Sequence, residues 1–308
     1  MSHFADRLAN AVRHRRTPVL VGLDPRLENL PRGLAPAAAD DRCAVADAYR
    51  RFCCGVIDVV ADLVPAVKPQ AAFFEQLGPA GLLALADVLR YATQRGLVVV
   101  LDGKRNDIGS TATAYAQAYL GAAPASPWGA DALTVSPYLG DDSLEPFVKV
   151  ATQRGAGLFV LVKTSNPGGR QFQDLIADGR PLYQHVAAYV EQLAAGTLGE
   201  VGYGAIGAVV GATYPQQLAE LRALMPHTWF LVPGFGAQGA GALDVAGAFD
   251  SRGLGGIVNS SRDIIFAHSR PEYRDHFGES RWQEAVEAAT RDMIAQLRAV
   301  TPAAALAG

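Results

Sequence analysis

Short apolar runs of strand character alternate with amphipathic helical stretches along most of the chain. The runs fall at 18–25, 65–75, 98–108, 130–137, 157–165, 205–212, 228–235 and 255–262. Most are near-continuous in apolar residues instead of alternating with polar ones, the pattern of parallel strands buried on both faces. Between them, helical periodicity is read at 41–63, 79–95, 141–154, 181–195, 214–225 and 280–299. Further helices are expected before residue 18, after Gly109-Ser110-Thr111, and briefly after the seventh run.

Eight strand–helix units in about 300 residues predict an α/β fold, a (β/α)8 TIM barrel, with 1–308 as a single domain. Residues 26–40 form a Pro- and Ala-rich connector. The connection 166–180 (NPGGRQFQDLIADGR) is long, polar and glycine-bearing, and loops of that length are uncommon unless functional, so it is a candidate lid. The tail from Thr301 is small and apolar and is expected to fray and be flexible.

The third run ends unusually. Val98-Val99-Val100-Leu101 leads directly into Asp102-Gly103-Lys104-Arg105-Asn106-Asp107. Asp102 and Lys104 are two apart, so strand alternation aims both at one side, whereas Asp107 lies past the strand end. An isolated charge cluster after a strand is usually a solvated loop. Here Asp24, Lys68, Asp102, Lys104, Ser165, Gln238 and Arg262 all fall at or just beyond strand carboxyl ends, the face on which such barrels bind ligands. A purely structural barrel has little reason to gather them there.

Residues 234–239 (GFGAQG) fit G-x-G-x-x-G, but a dinucleotide fingerprint belongs to the first βαβ unit, with an acidic residue about 20 positions on. This one is late, and that spacing lands near Ile257. In a barrel, the loops after strands seven and eight bind phosphate through backbone N–H groups, and Arg262 would add a bidentate, permanently charged clamp.

Composition narrows the classes. With 308 residues, 50% hydrophobic and 19% charged, the chain has ample core and is not disordered over most of its length. A net charge of −3 gives no footprint for nucleic acid, and Arg13-His14-Arg15-Arg16 is too short a basic cluster to change that. No apolar run approaches the roughly 20 residues of a membrane span, and the N-terminus lacks a signal-peptide core. A cytoplasmic protein with no membrane contact is expected. Cys43, Cys53 and Cys54 share one predicted helix without disulfide or zinc spacing and read as core fillers. The six histidines form no paired ligand motif, so no metal and no cofactor are expected.

The ordered motifs resemble a known family. They are V-G-L-D-P at 21–25, V-K-P at 67–69, D-x-K-x-x-D-I at 102–108 with Thr111, K-T-S-N-P-G at 163–168, V-P-G-F-G-A-Q-G at 232–239 and N-S-S-R at 259–262. Together they are similar to orotidine 5′-phosphate decarboxylase, above all its longer bacterial subgroup, type 2. D-x-K-x-x-D alone is less specific, since related barrels acting on sugar phosphates share it.

The resemblance implies that Lys104 protonates carbon 6 of the pyrimidine after carbon dioxide leaves. Asp102 would sit beside the departing carboxylate and hold Lys104 charged, and Lys68 would complete an alternating network and reach the ribose. It also implies that Asp107 and Thr111 enter a neighbouring subunit's site, making a homodimer with shared active sites. Asp24 would bind a ribose hydroxyl, Ser165 the pyrimidine, Gln238 would bridge base and phosphate, and Arg262 would clamp the phosphate. The substrate implied is orotidine 5′-monophosphate.

Physical chemistry is compatible with these roles. Two Asp and two Lys sum to zero charge, and each adjacent pair at about 4 Å interacts by roughly 4 kcal/mol at an effective dielectric near 20. The sequence departs from the family at Asn106, where glycine is frequent, and at Asp263, where a small residue is usual. Asp263 is expected to point away from the site. Its carboxylate on the Arg262 guanidinium, facing a phosphate pocket, would contradict that. Two alternatives remain: a metal-dependent sugar-phosphate lyase or isomerase using Asp102 and Asp107 as magnesium ligands, and a non-catalytic nucleotide-phosphate binding protein.

Overall fold

The computed structural model describes residues 2–236 and 239–307. Eight parallel strands close into a barrel: β1 Val19–Leu23, β2 Ala66–Pro69, β3 Val98–Arg105, β4 Ala132–Val135, β5 Gly157–Lys163, β6 Ile206–Val210, β7 Phe230–Val232 and β8 Gly256–Ser260. Each strand pairs with its chain neighbours, and β8 returns to β1 with Val19 opposite Val258. The eight barrel strands therefore have no open edge, which is the barrel's answer to unpaired backbone. The (β/α)8 architecture expected from the sequence is the one observed.

The reason for the near-continuous apolar runs is visible in the burial. Every residue of β1, β4, β6, β7 and β8 is buried, because one face meets the barrel interior and the other the helices. The helix Arg42–Val60 shows the complementary pattern, burying Val45, Tyr49, Phe52, Val56, Ile57 and Val60 at helical spacing. Asp41 starts it by accepting the N–H groups of Cys43 and Ala44. At the opposite end from the strand carboxyl termini, Phe4 of the helix Phe4–Arg15 meets Phe159 edge to face at 6.0 Å and lies where a side chain on Gly157 would be.

Several boundaries differ from the sequence reading. The second run is a strand only to Pro69, and Ala71–Glu75 is a helix. A short apolar run such as AAFF has no periodicity of its own to separate the two states. Two further helices, Arg262–Ile265 and Pro271–Phe277, lie between β8 and the closing helix Trp282–Val300. The connection 166–180 carries local structure: a 3-10 turn Pro167–Gly169, a helical turn Arg170–Gln173, and a two-residue hairpin pairing Ile176–Ala177 with Arg180–Pro181.

The tail, expected to fray and be flexible, forms a 3-10 helix, Pro302–Ala307, with Ala303 and Leu306 buried. Thr301 starts it, donating to the Leu297 carbonyl at 2.7 Å and accepting the Ala303 N–H at 3.1 Å. Of the three cysteines read as core fillers, Cys53 is buried and Cys54 half-buried, whereas Cys43 is exposed in the first turn of its helix. Among the described residues no helix is long and apolar enough to cross a membrane.

Candidate active site

The carboxyl end of β3 is not a simple continuation of the strand. Its pairing with β4 shifts register between Leu101 and Arg105, and Lys104 takes a left-handed backbone with φ of +43°. Only a few non-glycine residues do so, and such outliers gather where a side chain has to be re-aimed. The Lys104 N–H donates to Thr134 Oγ1 at 2.9 Å, which holds the turn. Arg105 leaves the other way, to Glu75 and the ring of Tyr119.

The result is a chain of charges. Lys68 Nζ donates to Asp102 Oδ2 at 2.8 Å and Lys104 Nζ to Asp102 Oδ1 at 2.6 Å. Two neutral donors complete the carboxylate's shell: Gln70 Nε2 to Oδ2 at 3.1 Å and Thr134 Oγ1 to Oδ1 at 2.9 Å. The side chains of Lys68 and Asp102 are 6% and 9% exposed, whereas that of Lys104 is 48% exposed, so the charged head of Lys104 alone is widely open to the barrel mouth.

Burial would raise the Asp102 pKa, but Lys68 and Lys104 outweigh it and hold the carboxyl well below the usual range. Burial likewise opposes the charge on Lys68, and Asp102 with Asp24 outweighs that, so its pKa is raised. Asp102 and Lys68 therefore stay ionised together.

They lie in a cavity of about 460 Å³ at the strand carboxyl ends, with Asp24, Lys68, Asp102, Lys104 and Ser165 among its lining residues. Of the residues singled out from the sequence, these five are brought together. Asp107, which accepts the N–H of Ile108 at 2.9 Å, and the exposed Thr111 are not part of that lining. Arg262 is exposed at the start of its short helix and is also outside it. Gln238 lies outside the described residues.

The sequence reading missed Gln70, Thr134 and Asn259, which line the same cavity. Gln70 follows V-K-P directly and Asn259 opens N-S-S-R, so their motifs were visible although their parts in the site were not. Among the described residues, Asp24 Oδ1 and Asn259 Oδ1 are buried acceptors without a partner, both in cavity-lining side chains. Buried acceptors of that kind call for a donor.

The 166–180 connection is anchored at its base. Lys163 is fully buried at the end of β5, ion-paired with Asp174, with its Nζ 5.2 Å from the Tyr183 ring centroid and 4.8 Å from that of Tyr214. Gln173 exchanges two hydrogen bonds with Thr164, at 2.8 and 3.0 Å. Asn166 and Gln173 thereby join the cavity wall.

On the opposite side, Gly236 has φ of +74°, and the Asp263 carboxylate occupies the space a side chain there would need. Among the described residues no ion pair joins Asp263 to Arg262. The carboxylate lies against the glycine-rich loop read as the phosphate loop, so it is off the Arg262 guanidinium but does not point away from that loop as expected.

The comparisons with known proteins agree with this geometry. The profile of the Orotidine 5′-phosphate decarboxylase / HUMPS family matches residues 17–274. A Rhodopirellula baltica protein named orotidine 5′-phosphate decarboxylase is 60% identical over 301 residues, spanning 97% of this chain and all of its own. A Deinococcus radiodurans protein of the same name is 43% identical over 265 residues, covering 86% of this chain and 89% of its own. The solved structure of Leishmania donovani OMP decarboxylase superposes with a TM-score of 0.74 at 34% identity, covering 97% of this chain and 98% of that one. The chain belongs to the orotidine 5′-phosphate decarboxylase / HUMPS family.

Proposed function

We propose that this chain converts orotidine 5′-monophosphate to uridine 5′-monophosphate and carbon dioxide in de novo pyrimidine biosynthesis, without a metal or cofactor. The observation that carries the reading is the Lys68–Asp102–Lys104 chain lining a cavity at the barrel mouth. The bond between carbon 6 and the carboxylate breaks and its electron pair stays on carbon 6. The Lys104 ammonium faces that carbon and gives it a proton. Asp102 meets the leaving carboxylate, so the arrangement favours the state in which that charge has moved to the ring beside Lys104.

Lys68 balances Asp102 and reaches the ribose, Asp24 offers its unpartnered oxygen to a ribose hydroxyl, and Ser165 reads the pyrimidine. Gln238 and Arg262 hold the phosphate together with the glycine-rich loop, and the 166–180 segment covers the bound nucleotide. The K-T-S-N-P-G and V-P-G-F-G-A-Q-G segments support the longer, type 2 subgroup.

The assembly is a cytoplasmic homodimer in which Asp107 and Thr111 serve the partner's site. Their position outside their own cavity lining supports this, as do the exposed Ile108, Tyr138 and Leu139 beyond the adjacent strands β3 and β4. A lyase or isomerase holding magnesium on Asp102 is disfavoured, since both carboxylate oxygens already accept from protein donors.

Incubation with orotidine 5′-monophosphate and excess chelator, following loss of the orotate absorbance, tests the reading. Metal-independent turnover that disappears in Lys104→Ala supports it. Intact nucleotide binding without turnover would move the assignment to the sugar-phosphate relatives or to a binding protein.

A further inference from the structure

The shell of Asp102 holds four donors and no acceptor among the contacts that reach it: Lys68 and Gln70 on Oδ2, Lys104 and Thr134 on Oδ1. The Thr134 hydroxyl has a fixed direction. Its oxygen already accepts the Lys104 backbone N–H, which can only donate, so its hydrogen goes to the carboxylate. Thr134 is 1% exposed and belongs to β4, so water and strand motion have little access to this pair. One hydroxyl thus ties the left-handed backbone of Lys104 to the side chain of Asp102.

An aspartate brought against a second carboxylate ordinarily has two escapes. It takes up a proton and shares it, as carboxylate pairs do, or it turns to another rotamer. Both are closed here. Among the described residues, the Lys68 and Lys104 ammonium groups and the Gln70 amide N–H cannot accept a proton from either oxygen, the Thr134 oxygen could do so only by turning its own hydrogen away, and rotation would break four hydrogen bonds at once. We propose that Thr134 and Gln70 are positioning residues that hold Asp102 charged and in place as the substrate carboxylate arrives, leaving departure of that carboxylate as the way to relieve the repulsion. The charged groups facing this shell are Lys68 from β2, Lys104 from β3 and Asp24 beyond β1; the contributions from β4 and β8, Thr134 and Asn259, are neutral.

The inference rests on the decarboxylase reading and is tested on the full-length enzyme with two variants. Thr134→Val keeps the shape and removes the hydroxyl, and Gln70→Leu removes the donor on the other oxygen without touching Lys104. For orotidine 5′-monophosphate, each lowers kcat about 10- to 100-fold, and the acid limb of the kcat profile moves up by at least one pH unit. Affinity for uridine 5′-monophosphate, which lacks the carboxylate, stays within about threefold in both.

Exchange of the product's carbon-6 hydrogen in heavy water, which also lacks the carboxylate, is unchanged in Gln70→Leu and slowed in Thr134→Val, whose Lys104 backbone has lost its acceptor. Thr134→Ser restores wild-type behaviour. Wild-type activity with kcat and acid limb unmoved in both variants overturns the inference alone. So does product affinity that falls in step with kcat, since that marks a merely structural role. An inactive wild type overturns the decarboxylase reading and this inference with it.

Discussion

Replacing Asp102 with Asn keeps the shape of the side chain and removes the one negative charge between Lys68 and Lys104. The two lysines respond differently. Lys104 is 48% exposed and can turn to water, whereas Lys68 is 6% exposed and cannot. Breaking a buried pair by removing one partner costs about 3–5 kcal/mol, because a buried charge is left uncompensated. Asp24 also faces Lys68, which places the expectation near the lower end, about 3 kcal/mol. With a urea slope of about 3 kcal/mol/M for a chain of this size, the unfolding midpoint falls by about 1 M.

The pH dependence adds a sign. In the native protein the Lys68 pKa is raised, so its contribution is complete below the ordinary lysine value of about 10.4 and is lost as pH rises through the folded value. In Asp102→Asn burial dominates and the Lys68 pKa falls below that value. The unfolded chain then binds more protons than the folded one, and the variant gains stability as pH rises toward 10. The gap between the two proteins therefore narrows from pH 7 to pH 10 in urea titrations. A gap that stays constant over that range, or one under about 1 kcal/mol at pH 7, would refute the claim that Asp102 is what compensates Lys68.

Asp174→Asn removes the partner of the fully buried Lys163. Asp174 is 37% exposed, so solvent screening reduces the effect to about 1–2 kcal/mol, and the 166–180 segment should open about 5–30 times more often. Limited proteolysis within the segment measures this, and an unaltered cleavage rate would show that the ion pair does not anchor it. Gly157→Ala places a methyl in the Phe4 ring and should cost about 1–3 kcal/mol, seen by calorimetry as a fall of several degrees in Tm. An unchanged Tm would mean that Phe4 moves aside freely. Gly236→Ala combines strain of about 1–2 kcal/mol at φ of +74° with displacement of Asp263. It should weaken uridine 5′-monophosphate binding while leaving uridine binding alone, and equal affinity for the nucleotide in both proteins would detach that loop from the phosphate.

The barrel was legible because two-sided burial leaves a strong mark: eight strand-like runs, most of them near-continuous in apolar residues, separated by helical periodicity. Asp102 and Lys104 were legible as a pair because two positions along a strand face one way. Their actual meeting depends on a register shift and a left-handed Lys104, neither of which has a residue signature here, since glycine would be the usual sign of that backbone and lysine is not. Thr134 sits in an ordinary-looking strand, Ala-Leu-Thr-Val, and its value comes from a neighbour 30 positions away. Long-range partners of this kind leave no local pattern. Glu75, expected within a strand, ends a helix, because its apolar run is too short to carry a period.

The charged groups also divide by the kind of backbone that bears them. Lys68, Asp102 and Lys104 stand on β2 and β3, and Thr134 on β4 braces them, so their relative positions are set by paired strands and by the irregular end of β3. Ser165, the 166–180 segment and the glycine-rich loop stand instead on connections, held among other contacts by Lys163 with Asp174, Gln173 with Thr164, Thr213 on the Ser165 carbonyl, and Asp263 against Gly236. On the proposed reading this is the arrangement the reaction requires. Remote contacts close over the nucleotide and supply binding energy, and that energy has an effect on the carboxylate only if the groups opposite do not yield. A network free to relax would accept the substrate more easily and transform it more slowly, and on the same reading that is the reason for the neutral braces on Asp102.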